Sequence, residues 1–417
     1  MCKVLVSRQA ILNVPNLRFP EFSGEWKKIR VSDLLEFFST NSLSWDQLEY
    51  GGTDIFNLHY GLIHSGLSTQ ISLKKSILPS VKSEYRPRNY TLCEDGDVAF
   101  ADASEDTNEV GKVVEFVDCA GKEIVCGLHT IHGRDKLGKT VVGFKGYAFS
   151  SPAFHNQIRR IAQGTKIFSI NTGNFEEIFI GVPQKEEQDK ISHLLSLLDQ
   201  RIAIQNRLIE QYESLIKAII DKWVKVLLSG KTVRFDQLYE RAGEGGTPST
   251  SVKEYYDGGE IPFVKIEDLS PMYLTENKDY ITAEGLSKSS AWMIPEHSVI
   301  YSNGATIGSI SINTYPVTTK QGILGIVPLK GVQTEYLYYM MRSSYFSKEV
   351  HRIITEGTMK TAYLKDINSI ICPIPFPEIQ SRMVSGLLAL SEKVSLEGKI
   401  QRFLKDLKST LLNQLFI

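Results

Sequence analysis

The longest regular pattern in the chain is an apolar stripe that begins near residue 191. Ile191, Leu195, Leu198, Ile202, Gln205, Ile209, Tyr212, Ile216, Ile219, Trp223 and Val226 recur at alternating steps of four and three. That is a heptad seam, interrupted only by Gln205. It predicts a helix over about residues 185–229, roughly 65 Å long at about 1.5 Å per residue. Pro183 precedes it, and Glu186, Glu187 and Asp189 fall in its first turn, where carboxylates suit the positive end of the helix dipole. A second long helix is expected over about 377–416, with Leu387, Leu390, Val394, Leu404, Leu411 and Leu415 on the corresponding face. It is less regular: Glu397, Gln401 and Lys408 occupy seam positions, and a further stripe through Leu396, Ile400, Phe403 and Leu407 implies a shifted or wider interface. Seams of this length do not fit inside one ordinary domain. Each is best buried by the other, and the pair runs antiparallel if the halves are related by a pseudo-dyad.

A mixed region precedes each helix. Runs such as KVVEFV (112–117), GKEIVCG (121–127), SVIYSN (298–303) and GILGIVPL (322–329) are punctuated by Gly, Pro and Asn, the pattern of strands joined by turns. The two regions belong to one repeat. NFEEIFIGVPQKEEQ (174–188) and DINSIICPIPFPEIQ (366–380) align with an offset of 192 residues, so that Pro183 falls on Pro375, Glu186 on Glu378 and Gln188 on Gln380. Leu195, Leu198, Ile202 and Ile219 then fall on Leu387, Leu390, Val394 and Leu411 without a gap, while Gly164-Thr165 matches Gly357-Thr358 with one residue of slippage. The expected fold class is α+β: two mixed α/β domains separated by two long antiparallel coiled-coil helices, with an internal pseudo-two-fold repeat. The divisions are an N-terminal segment at 1–22, a first domain at 23–183, the first helix at 184–229, a second domain at 230–375 and the second helix at 376–417.

Composition narrows the function classes. The 417 residues carry 47 Lys+Arg against 48 Asp+Glu, a net charge of −1, with 42% hydrophobic residues. That excludes a disordered chain and a uniformly basic nucleic-acid coat, so DNA binding would have to come from local patches. Cys2, Cys93, Cys119, Cys126 and Cys372 are odd in number and lack C-x-x-C spacing, so neither a zinc site nor a disulfide framework is expected. No apolar run is long enough to span a bilayer, and the expected location is the cytoplasm.

One catalytic motif has to be weighed. Gly133-Arg-Asp-Lys-Leu-Gly138-Lys139-Thr140 fits the phosphate-cradling P-loop pattern, which works only with a strand before it and a helix after it. The following VVGFKGYAFSSP reads as strand and turn, which argues for a basic hairpin loop. Within that loop His129, His132, Arg134, Lys136, Lys139 and Lys145 concentrate donors in seventeen residues, suited to phosphates or base edges of a major groove. A solvated surface hairpin is the competing reading. N-P-P-[FY], H-E-x-x-H and G-x-S-x-G are absent, and no enzyme activity is visible.

At this point the residues resemble the specificity subunit of type I restriction–modification systems. The resemblance rests on AGEGGTPSTSVKEYYDGGEIPFVKIEDL (242–269), VIYSNGATIGSISI (299–312), TTKQGILGIVP (318–328) and EGTMKTAYLKDINSIICPIPFPEIQ (356–380) in the second half. In the first half it rests on WKKIRVSDL (26–34), DVAFADASED (97–106), CGLHTIHGR (126–134) and GVPQKEEQDKISHLLSLLDQRI (181–202). It implies two target-recognition domains, each reading half of a split, asymmetric double-stranded DNA site. The helices would set the spacer and dock methyltransferase subunits, two of them, alongside restriction subunits that bring translocase and nuclease activity. S-adenosylmethionine, ATP and Mg would belong to those partners, with no cofactor on this chain. Asn303, Lys320, Gln321 and Lys360, in polar or Gly-containing turns, are the candidate DNA contacts of the second domain. The rivals are a P-loop nucleotide-binding protein using Gly133–Thr140 and a non-DNA coiled-coil adaptor.

The repeat yields a test. A fragment ending near Gly230 keeps one domain and its helix, and exposes the whole seam to water. It is expected to dimerise through that helix, antiparallel, and with methyltransferase subunits to direct modification to an inverted repeat of its half-site. Solution mass and mapping of modified bases check this; a folded monomer, or modification at the asymmetric parental site, would contradict it.

Overall fold

The structure, a computed structural model, describes residues 13–417 apart from 53, 75, 270 and 355–359. The Gly357-Thr358 half of one repeat match lies outside the described residues. The chain forms two compact units, Met1–Asn206 with Ile400–Ile417, and Arg207–Lys399. Each is described by itself.

The first unit is built on strands β1 (Leu35–Phe38), β2 (Gln70–Ser72), β3 (Val98–Ala101), β4 (Val113–Asp118) and β5 (Thr130–Asp135), in the order β1-β5-β3-β4-β2. All neighbours pair antiparallel except β2 with β4, which is parallel. The second unit uses β6 (Tyr239–Glu244), β7 (Tyr273–Leu274), β8 (Val299–Ser302), β9 (Ile310–Asn313) and β10 (Ile323–Pro328), in the order β6-β10-β8-β9-β7. Again only the last pair, β7 with β9, is parallel. The two sheets therefore share strand order and every strand direction. VAFA in β3 and VIYS in β8 are buried at every position, as strands covered on both faces must be. Beside its main sheet the first unit carries a four-stranded one formed by Ile124–Cys126, Phe56–Leu58, Ser80–Val81 and Leu48–Glu49.

After each fifth strand the chain turns into a pair of short helices: α1 (Phe144–Phe149) and α2 (Pro152–Ile161) in the first unit, and counterparts at Thr334–Met341 and Ser344–Ile353 in the second. The offset of 192 persists through them. Ser151 and Ser343 each accept from the amide three residues on, of Phe154 and Phe346, and cap the second helix of their pair. Tyr147 OH donates to Asp199, and Tyr339 OH bonds Ser391 at the matching position. The long helices follow, α3 at Lys185–Leu227 and α4 at Pro377–Gln414.

The junction between sheet and long helix is held by one buried glutamine in each unit. Gln188 Nε2 donates to Lys139 O (2.9 Å) and Pro183 O (2.8 Å), and Val141 N–H donates to Gln188 Oε1 (2.9 Å). Gln380 repeats this: Nε2 donates to Gly331 O and Pro375 O, and Gln333 N–H donates to its Oε1. All four positions differ by 192. A long polar side chain buried at this depth is tolerable only because its hydrogen bonds are met.

The helical seam divides between the units. In the first, Ile191 and Leu195 pack with Leu411, Leu412, Leu415 and Phe416, Asp199 pairs with Lys408, and Asn206 accepts from Gln401. In the second, Ile216, Ile220 and Val224 pack with Met383, Val384 and Leu387. Positions ascending in α3 meet positions descending in α4 in both units, so each pair of segments runs antiparallel. Leu198, Ile202, Ile209, Tyr212, Leu390, Val394, Leu404 and Leu411 are half-buried, and Gln205 and Glu397 are buried despite their polarity. The expected seam fails at its end: Val226 is 57% exposed, while Ile220 and Val224 take the buried face. A straight helix of 3.6 residues per turn drifts about 20° per heptad against a 3.5 repeat, which carries the buried stripe off the strict pattern.

Gln188→Ala and Gln380→Ala each leave buried backbone groups without partners. Each variant is expected to lose about 1–3 kcal/mol of stability, read as a lower urea midpoint at unchanged slope. Wild-type midpoints in both would contradict the clamp.

Candidate nucleic-acid interface

In the second unit the ends of β6 and β8 and the start of β10 lie at one edge of the sheet, and their loops converge there. Gly245 N–H donates to Ile323 O, and Gly246 N–H to Thr319 O. A Cβ on Gly245 would lie 2.1 Å from Thr319 O, and one on Gly246 2.3 Å from Ser290 Oγ. The GGTPS run is thus glycine-rich because two loops touch backbone to backbone. Asn303 and Gly304 both donate from their amides to Gly322 O, and Gly304 bridges to Thr361. Lys320, Gln321 and Lys360 are exposed on these loops, so the edge presents two cations and one amide. Asn303 is different: it is fully buried, and its Nδ2 donates to Ala362 O. It joins the loops rather than facing outward.

The equivalent edge of the first sheet holds the ends of β1 and β3 and the start of β5. Of the six donors singled out in that half, only His129 lies there. It is half exposed, with φ +54°, its Nδ1 is 3.1 Å from Asp102, and its ring meets Tyr60 edge-on at 5.2 Å. His64, bonded to Ala103 O, and Tyr60 lie beside it.

The other five donors belong elsewhere, because residues 129–145 do not form a protruding hairpin. They comprise β5, a tight turn and the start of α1. His132 is buried in β5 against Asp97 at 2.7 Å. Arg134 grips Asp97 with Nε and Nη2, both at 2.8 Å, reaches Glu94 with Nη1 and lies over Phe38. Burial pushes the Asp97 carboxyl up, but Arg134 and His132 outweigh it and hold it below its usual range. Lys136 bonds Ser32 O, and Lys139 lies in the turn at the far end of the strand, beside the start of α3. Lys145 is buried on Glu115 (3.3 Å) and Thr140 (2.9 Å).

The P-loop match is settled by the same residues. A helix does follow it, contrary to the strand-and-turn expectation, but its N-terminus is filled. Glu115 accepts from Gly143 N–H (2.8 Å) and Gly146 N–H (2.6 Å), so a fully buried carboxylate occupies the place a phosphate needs. Asp135 takes both the amide and the hydroxyl of Thr140. In the second repeat the positions of Lys139 and Thr140 are Gly331 and Val332; the turn serves the glutamine clamp.

The family described as "Type I restriction modification DNA specificity domain" matches residues 23–214 and 231–405. The chain belongs to this family. It is 30% identical over 179 residues to the type I restriction enzyme MjaIX specificity subunit of Methanocaldococcus jannaschii, covering 42% of this chain and 40% of that one. It is 30% identical over 171 residues to the HindI specificity subunit of Haemophilus influenzae, covering 39% and 36%. The aligned stretches thus span about two fifths of these relatives. A solved type I restriction-modification S subunit from M. genitalium shares the fold at a TM-score of 0.58 and 17% identity, over 97% of this chain and 99% of that one. Of the four second-domain candidates, expected in polar or Gly-containing turns, the structure brings Lys320, Gln321 and Lys360 to one exposed edge and buries Asn303. In the first unit the corresponding edge, with Tyr60, His64 and Asp102 beside His129, emerges only when strand ends are matched across the repeat.

Burial raises the Glu115 carboxyl, and Lys145 with the two amides offsets this only in part. A raised acid holds its proton more tightly when folded; it favours folding at low pH and loses that advantage as pH rises through the folded value. Lys145→Met raises it further. It is expected to cost about 3–5 kcal/mol at neutral pH and less at a lower pH, because a raised carboxyl takes up its proton sooner as pH falls. Urea unfolding at the two pH values checks this; an equal loss at both would contradict the pairing.

Proposed function

We propose that this chain is the sequence-specificity subunit of a type I restriction–modification complex. Each unit reads one half of a split, asymmetric double-stranded DNA site, and the chain itself carries no catalysis. The observation that supports this most is the repeated five-stranded sheet with Lys320, Gln321 and Lys360 exposed on converging loops at one edge. Gln pairs bidentately with adenine, and Lys with guanine or phosphate. Successive major-groove faces recur about every 34 Å along B-DNA, and long continuous helices make a stiffer spacer than a flexible linker.

Partner docking is assigned to the helices. In the first unit Phe403 and Leu407 are 66% and 38% exposed one turn apart on α4, apolar side chains of the kind found at protein interfaces. Two methyltransferase subunits would use such surfaces, with restriction subunits joining the assembly. S-adenosylmethionine, ATP and Mg would reside on those partners, and the complex would act in the cytoplasm. Among the described residues no helix is long and apolar enough to cross a membrane. The near-neutral net charge leaves much of the DNA grip to the partners.

Binding by the assembled complex tests the reading edge. Gln321→Ala or Lys320→Ala is expected to weaken binding by about 1–3 kcal/mol with relaxed preference in one half-site only if it contacts a base, or equally across sequences with a salt slope lower by about one if it contacts phosphate. Unchanged affinity, salt slope and preference in both variants would remove this edge from the interface.

A further inference from the structure

The cysteine spacing argues against a metal site, yet the fold of the first unit brings two cysteines and a histidine together from distant positions. Cys93 precedes β3, Cys126 ends a strand of the four-stranded sheet, and His132 lies in β5 of the five-stranded sheet. Their exposures are 5%, 2% and 0%. The two sulfurs are 3.5 Å apart, and a ring nitrogen of His132 lies within 4.8 Å of both. Two thiolates bound to one tetrahedral zinc at about 2.3 Å sit about 3.8 Å apart, close to the spacing here.

The histidine supplies an independent argument. Arg134 holds Asp97 ionised, so the carboxylate only accepts, and His132 Nε2–H is the donor in their 2.7 Å bond. In the neutral ring, the form that binds metals, this fixes the tautomer and leaves the Nδ1 lone pair free. Nδ1 is buried and has no hydrogen-bond partner, which is costly for a core polar atom. A carboxylate behind one ring nitrogen with the other free is the arrangement that orients histidine toward metals. Cys93 is itself pinned, its amide donating to Ile124 O.

We propose that Cys93 Sγ, Cys126 Sγ and His132 Nδ1 bind a thiophilic divalent cation of the zinc class, with Asp97 as the positioning residue. Binding releases the two thiol protons, and two thiolates with a neutral imidazole cancel the charge of a divalent ion, as a buried site requires. The ion would staple the two sheets of the first unit. Among the described residues the second unit has no such group: Leu324 stands where the repeat places His132, in the same strand of its sheet.

The test uses the purified full chain, reduced, equilibrated with zinc alone and passed through gel filtration, with cobalt(II) as a spectroscopic probe. One zinc per chain and thiolate-to-cobalt charge-transfer bands are expected. Both should be lost in Cys126→Ser and His132→Gln and kept in Cys372→Ser, a buried cysteine of the second unit. Asp97→Asn is expected to weaken zinc about 10–100-fold. The cobalt spectrum of the unaltered chain decides the matter even where a variant misfolds. Wild-type protein that retains no zinc and shows no charge-transfer bands, or that yields a Cys93–Cys126 disulfide peptide from reduced preparations, would overturn the proposal. So would equal zinc retention in folded Cys126→Ser.

Discussion

A buried glutamine at the start of each long helix is the contact on which the arrangement of each unit depends. Gln188 and Gln380 each close the turn that leaves the fifth strand of the sheet, and each ties that turn to the proline preceding the helix. The strand, β5 or β10, begins in the loops of the exposed edge and ends in the clamped turn. One rigid element therefore joins the edge proposed to read DNA to the helix proposed to set the spacing. The loops of such an edge are rooted in a paired strand and a satisfied core.

Much of this was legible in the sequence, and the rest was hidden for identifiable reasons. The offset of 192 was visible at Pro183 and Gln188, and the structure extends it to capping serines and the Tyr147 and Tyr339 hydroxyls. The heptad seam read correctly until its last turns, where a period of 3.5 imposed on a helix of 3.6 mislaid Val226. The basic run at 129–145 was misjudged because sequence proximity does not show which face a strand residue takes. Alternation sends His132 inward, Arg134 is committed to Asp97, and Lys145 is drawn under the surface by Glu115. Glu115 lies far upstream of the P-loop pattern it disables, so no local motif could reveal it.

The two units keep one scaffold and differ in what fills it. In the first, an Arg134–Asp97–His132 chain runs into a pair of cysteines. In the second, the same strand carries Leu324, and the exposed edge is elaborated by the GGTPS contact instead. Divergence at the loops over a conserved sheet and clamp is what two reading surfaces with different half-sites would require, since specificity lies in side chains at the edge while the clamp serves any sequence.

The central claim is that one chain specifies two DNA half-sites at a fixed separation. The direct measurement is genome-wide sequencing of methylated bases in a host carrying this protein with its cognate methyltransferase subunits. The account predicts a two-part, asymmetric motif with an unspecified spacer of constant length. A single contiguous motif, or a methylation pattern unchanged when this chain is removed, would contradict it.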